Sequence, residues 1–227
     1  MTATVRPPTA AEFRARHRGG GLFTETVNQR IGSYLAVAGD RLKLAPTVLT
    51  LVNLLLGLAG SMLVIMWPKP AVGLAALLLW QLAYSFDCAD GQLARVTGQT
   101  SAAGARVDVL CDVALQIALV TAVSAAASGD APAWLIAAFA GTWMVNLVTS
   151  VLQQGSAGAS LISSSSLPVR LVKLIRDYGA VITVIGIVLA VEPAWSFWLL
   201  VGFTVVNGGF LLASIAASAR TSLRRAD

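Results

Sequence analysis

The chain has 227 residues, 56% of them hydrophobic and 12% charged, with a mean hydropathy of +0.76. Soluble domains carry about 25% charged residues, so the composition excludes an ordinary water-soluble domain and calls for either an unusually large core or a membrane as solvent. The net charge of +5 is not a nucleic-acid footprint, because the basic residues collect at the ends and in short connections and leave long stretches bare.

Residues 1–23 are polar, with Arg6, Arg14, Arg16 and Arg18. They lack the apolar run of a cleaved signal peptide and read as a cytosolic tail, disordered up to Gly21. In 24–45, Val27, Ile31, Leu35 and Val37 alternate with Gln29, Arg30, Asp40 and Arg41. This pattern reads as an amphipathic helix lying in the membrane interface, with an ordinary solvated helix as the alternative.

A transmembrane helix needs about 20 mostly apolar residues. Six stretches qualify: 46–67, 71–95, 102–128, 131–152, 172–191 and 194–218. Pro68 and Pro70, Gly129-Asp130 and Glu192-Pro193 separate them, and the Ser- and Gly-rich stretch 155–166 reads as a loop. The last residues, 219–227, form a basic tail. With both termini in the cytosol, every Lys and Arg except Lys69 falls on the cytosolic side, while Lys69, Asp130 and Glu192 face the other. The expected fold is therefore an all-α integral membrane protein, with six transmembrane helices over 46–218 behind an N-terminal amphipathic interfacial helix.

Four of the eleven acidic residues fall inside spans: Asp87 and Asp90 in the second, Asp108 and Asp112 in the third. Ionisable groups at such depth cost a few kcal/mol each and mark function. Spacings of three and four put each pair on one helix face, and the short turn after the second span lets the two faces meet just inside the cytosolic boundary. Converging carboxylates repel, and a divalent cation offsets this. An oxygen-only donor set suits Mg²⁺, Mn²⁺ or Ca²⁺, and four carboxylates suffice for two ions.

Gly91, Ala94 and Gly104 keep the acidic faces slim, which suits either a bulky ligand or close helix packing. Arg95 stands at the rim, where a phosphate or nucleotide edge is within reach of a guanidinium. Cys88 and Cys111 lack metal-type spacing and read as packing residues. Arg170, Lys173 and Arg176 at the start of the fifth span form a basic patch. It suits a phosphorylated acceptor or anchoring to anionic headgroups.

The stretch reads Asp87-Cys88-Ala89-Asp90-Gly91-Gln92-Leu93-Ala94-Arg95, eight residues, Gly104, three residues, Asp108, three residues, Asp112. It resembles, at every fixed position and gap, the CDP-alcohol phosphotransferase signature D-x2-D-G-x2-A-R-x8-G-x3-D-x3-D. The resemblance implies that Asp87, Asp90, Asp108 and Asp112 hold two ions, Mg²⁺ or Mn²⁺, and that Asp112 is also the general base. It implies that Gly91, Ala94, Arg95 and Gly104 line the CDP pocket, and that an acceptor hydroxyl attacks the β-phosphorus with release of CMP.

It further implies a CDP-diacylglycerol donor, a polar acceptor such as inositol phosphate or glycerol phosphate, a role in phospholipid biosynthesis and a homodimer in a bacterial-type plasma membrane. For the acceptor, the patch Arg170, Lys173 and Arg176 is the candidate. The family often opens its first span with Pro-Asn, whereas here Thr47 follows Pro46. A cation transporter, or a family member using a soluble CDP-alcohol, are the rival readings. The first is disfavoured because the acids sit near the boundary without an internal repeat.

Overall fold

The computed structural model describes residues 6–155 and 177–224, and every regular element among them is helical. In chain order these are α1 (Ala10–Ala15), α2 (Leu22–Thr26), α3 (Asn28–Arg41), α4 (Pro46–Met66), α5 (Pro70–Thr97), α6 (Ala102–Ala127), α7 (Ala133–Gly155), α8 (Tyr178–Val191) and α9 (Ser196–Arg224). A 3-10 turn, Pro193–Trp195, leads into α9.

Four helices are long and apolar enough to cross a membrane: Pro46–Met66, Pro70–Thr97, Ala102–Ala127 and Pro193–Ala216. Two shorter apolar helices, Ala133–Val145 and Tyr178–Val191, accompany them. The start of the expected fifth span at 172 lies outside the described residues, as do Arg170, Lys173 and Arg176.

Local chemistry sets the helix ends. Pro46 and Pro70 sit in the first turns of α4 and α5, where a missing N–H is harmless and the fixed φ suits a helix. Gly98, at φ +72°, closes α5 in the left-handed conformation. Ser101 caps α6 by accepting from the Gly104 N–H at 3.0 Å. At 28 residues, α5 is about 42 Å long at 1.5 Å per residue, against a hydrocarbon core of about 30 Å. It therefore outruns the core at one end or both.

The main core joins α4 to α9 through Trp80, Leu119, Val123, Phe139, Ile185 and Leu200. α5 and α8 approach closely: a Cβ at Gly73 would run into the Leu189 and Ala190 backbone, and one at Gly186 would meet Leu77. α4 packs on both α5 and α6, while α5 and α6 barely touch each other backbone to backbone. The gap between them is spanned by their acidic side chains.

The N-terminal part departs from expectation in two ways. Residues before Gly21 include α1, opened by a capping box in which Thr9 donates to Glu12 from its N–H at 2.6 Å and its hydroxyl at 2.8 Å. These bonds hold the Glu12 carboxyl below the usual range. Phe13 is fully buried, with Ala36, Leu49, Ala89 and Leu93 around it. One aromatic in a polar stretch is a weak sequence signal, and its partners are distant in the chain.

Second, the stretch expected as one amphipathic helix breaks at Val27 into α2 and α3. The buried face of α3 is polar and small: Asn28, Gln29, Gly32, Ser33, Ala36 and Gly39. Ile31, Tyr34 and Leu42 are exposed. Amide nitrogens join α3 to α5, while Asn28 Oδ1 and Gln92 Oε1 are buried without a hydrogen-bond partner. Asn28 Nδ2 donates to Gln81 Oε1 at 2.8 Å, and Gln92 Nε2 to Gln29 Oε1 at 2.6 Å. Buried amides hold their place when hydrogen-bonded, so α3 grips α5 with its polar face.

Asp177, the residue before α8, ties the two ends of the chain together. It is buried and accepts from the Thr24 N–H at 3.0 Å, the Thr24 hydroxyl, and the Gly179 N–H at 3.1 Å. The last bond caps α8, and the first two bind α2 to it.

Candidate active site

The acidic side chains project from α5 and α6 into the gap between them. Asp87, Asp90 and Asp108 each bring a carboxylate oxygen to within 4.8 Å of the others. Asp112 lines the same cavity as Asp87. Asp90 is 6% exposed and the other three are half-buried.

α4 supplies partners that the sequence reading did not assign to the site. Thr50 Oγ1 donates to Asp90 Oδ2 at 2.5 Å, and Asn53 Nδ2 to Asp87 Oδ1 at 3.3 Å. Asn53 thus brings an amide to the carboxylates from nearly two turns beyond Thr47. The available signal was an amide in an otherwise apolar span, three residues after Thr50 on the same face.

This donor set fits a hard divalent cation. The ligand atoms are all carboxylate oxygens, they come from two separate helices, and their mutual repulsion is only partly met by Thr50 and Asn53. Cys88 and Cys111 are buried free thiols. Cys88 packs near Gly32, whose added Cβ would meet Cys88 Cβ and the Ser85 carbonyl at 2.9 Å.

On the rim, Arg95 is half-buried and its guanidinium lies over Gly91, where an added Cβ would meet Nη1 at 2.9 Å. Its Nε donates to the Arg16 carbonyl at 2.6 Å. Ala94 is half-buried on the same helix and Gly104 sits in the capped first turn of α6. Arg106 is exposed.

Toward the bundle interior, a cavity of about 290 Å³ opens beside Asp87 and Asp112. Asn53, Tyr84, Gln116, Tyr178 and Asn207 give it polar walls, and Trp80, Trp143 and Phe203 give it aromatic ones. Gln116 Oε1 accepts from Trp143 Nε1 at 3.0 Å. These lining residues come from six helices, so sequence spacing could not assemble them.

A family model, CDP-alcohol phosphatidyltransferase, matches residues 43–208. The chain belongs to this family. The match contains all four aspartates, Thr50, Asn53 and the cavity lining, and it ties the site to transfer of a phospho-alcohol group from a CDP-alcohol. Among curated proteins none matches the chain. Family membership also removes the ground for reading the acidic cluster as a transporter's cation path.

Proposed function

We propose that the protein transfers a phosphatidyl group from CDP-diacylglycerol to the hydroxyl of a polar acceptor, inositol phosphate or glycerol phosphate, releasing CMP in phospholipid biosynthesis. The observation that carries this reading is the convergence of Asp87, Asp90 and Asp108 within 4.8 Å, framed by Gly91 and Arg95, with Asp112 on the cavity that Asp87 also lines. A site between apolar helices, at the end of an α5 that outruns the hydrocarbon core, favours a lipid on at least one side of the reaction.

The residues divide the work as follows. Asp87, Asp90, Asp108 and Asp112 would hold two divalent cations, Mg²⁺ or Mn²⁺. When bound, such ions offset charge that develops on a pyrophosphate. Thr50 and Asn53 fix the rotamers of Asp90 and Asp87 before substrate arrives, which is the preorganisation that electrostatic catalysis needs. Gly91, Ala94 and Gly104 leave room for the cytidine nucleotide, and Arg95 reaches its phosphates.

Asp112 takes the proton from the acceptor hydroxyl as the oxygen attacks the β-phosphorus. The bond to the CMP oxygen breaks, and CMP leaves with the negative charge. The cavity beside Asp112 gives the acceptor room against the base. Arg170, Lys173 and Arg176 remain the proposed contacts for its phosphate.

The same reading takes six spans, counting Ala133–Val145 and Tyr178–Val191 within longer crossings, with the site and both termini cytosolic in a bacterial-type plasma membrane. The arginine-rich arm and the basic tail favour that side. The outward apolar face of α3, with Ile31, Tyr34 and Leu42, suits the interface. A homodimer would use the small-residue side of α9, where a Cβ at Gly202 or Gly209 would meet nothing within 4 Å.

The test is CMP release by purified protein in nanodiscs containing CDP-diacylglycerol. Inositol phosphate, glycerol phosphate, inositol and serine are offered one at a time. The expected result is release with a phosphorylated polyol, abolished by EDTA and restored by Mg²⁺ or Mn²⁺. Release with serine or unphosphorylated inositol alone would refute the acceptor assignment. Release from a soluble CDP-alcohol but not from CDP-diacylglycerol would refute the donor.

A further inference from the structure

The N-terminal arm lies outside the matched region 43–208, yet it reaches the signature. Phe13 seats α1 against Ala89 and Leu93, two residues of the signature helix. Three positions on, the Arg16 carbonyl accepts the 2.6 Å bond from Arg95 Nε across 79 residues of sequence. That bond uses the inner edge of the guanidinium and leaves its terminal nitrogens over Gly91. Arg18, exposed on the same arm, follows two residues after Arg16, whose carbonyl holds Arg95.

Two guanidinium groups brought together repel, and an anion between them attracts both and outweighs that repulsion. A long side chain held in one orientation also gives up rotamer entropy, so the carbonyl contact presets Arg95 for a ligand that uses its outer edge.

We propose that this arm is a working part of the donor site: the Arg16 carbonyl orients Arg95, and Arg18 adds a second guanidinium, so that the pair clasps the phosphates of the CDP-alcohol. The proposal rests on the reading of that donor. Phe13 and Arg16 are positioning residues, while Arg18 touches phosphate.

CDP binding in the presence of Mg²⁺, measured by calorimetry on the full chain, tests this without turnover. In zwitterionic nanodiscs, Arg18→Ala is expected to weaken CDP about 10-fold or more, the order for a hydrogen bond between charged groups. Arg18→Lys should recover part of the loss. Phe13→Ala should weaken CDP comparably by releasing the arm. In turnover, both alanine variants should raise the donor KM and leave the acceptor KM unchanged.

CDP affinity equal to that of the unaltered protein in both alanine variants would overturn the proposal. So would an Arg18 effect confined to discs of anionic lipid, which would make Arg18 a headgroup anchor. Failure of the unaltered protein to bind CDP at all would instead sink the donor reading on which the proposal rests.

Discussion

Replacing Asp112 with asparagine lowers the kcat for CMP release by about 10²–10⁴-fold, the span that a positioned general base contributes. The substitution keeps the shape of the side chain and removes its ability to take a proton. Asp112 is the member of the cluster that lines the cavity beside Asp87 without belonging to the close triad of Asp87, Asp90 and Asp108. One metal ion should therefore still bind to the triad in the variant, and counting bound ions shows whether the second is lost together with the base. A variant that kept more than about a tenth of the activity would place the base elsewhere.

Asp177→Ala is expected to destabilise the protein by about 3 kcal/mol, from loss of hydrogen bonds to a charged group and of a helix cap. Asp177 is 3% exposed, and its removal strands the N–H groups of Thr24 and Gly179. In a chain of this size each kcal/mol lowers Tm by about 2–4 °C, so thermal unfolding in detergent should shift down by about 6–12 °C. The effect should be larger than for Asp177→Asn, whose amide oxygen can still accept. An unchanged Tm would show that α2 does not depend on α8.

The site was legible to the extent that it broke the apolar pattern. Asp87, Asp90, Asp108 and Asp112 stand out because a carboxylate in a hydrophobic run has no structural excuse, and helical periodicity alone puts them in pairs. The spacing suggested two faces meeting directly. Asp87, Asp90 and Asp108 do converge, and because α4 packs on both α5 and α6, Thr50 and Asn53 of α4 also join the site.

What stayed hidden depends on distance in the chain. The α3 amides pair with Gln81 and Gln92, over fifty residues away. Without those partners Asn28 and Gln29 look like a solvent face rather than a contact to α5. Asp177 looks like one more charge before a span until Thr24, 153 positions earlier, is brought against it. Phe13 is equally mute until the groove between α3 and α5 exists to receive it.

The central claim is that these carboxylates are a divalent metal centre, and Mn²⁺ binding followed by electron paramagnetic resonance tests it most directly. Chelator-stripped protein in nanodiscs would be titrated with Mn²⁺ alongside Asp90→Asn and a variant with Asp87, Asp90 and Asp108 all changed to asparagine. Helical content of each would be checked by circular dichroism. The expected result is two spin-coupled ions per chain in the unaltered protein, fewer in Asp90→Asn and none in the triple variant. Equal binding by the unaltered protein and a folded triple variant, or no binding by either, would contradict it.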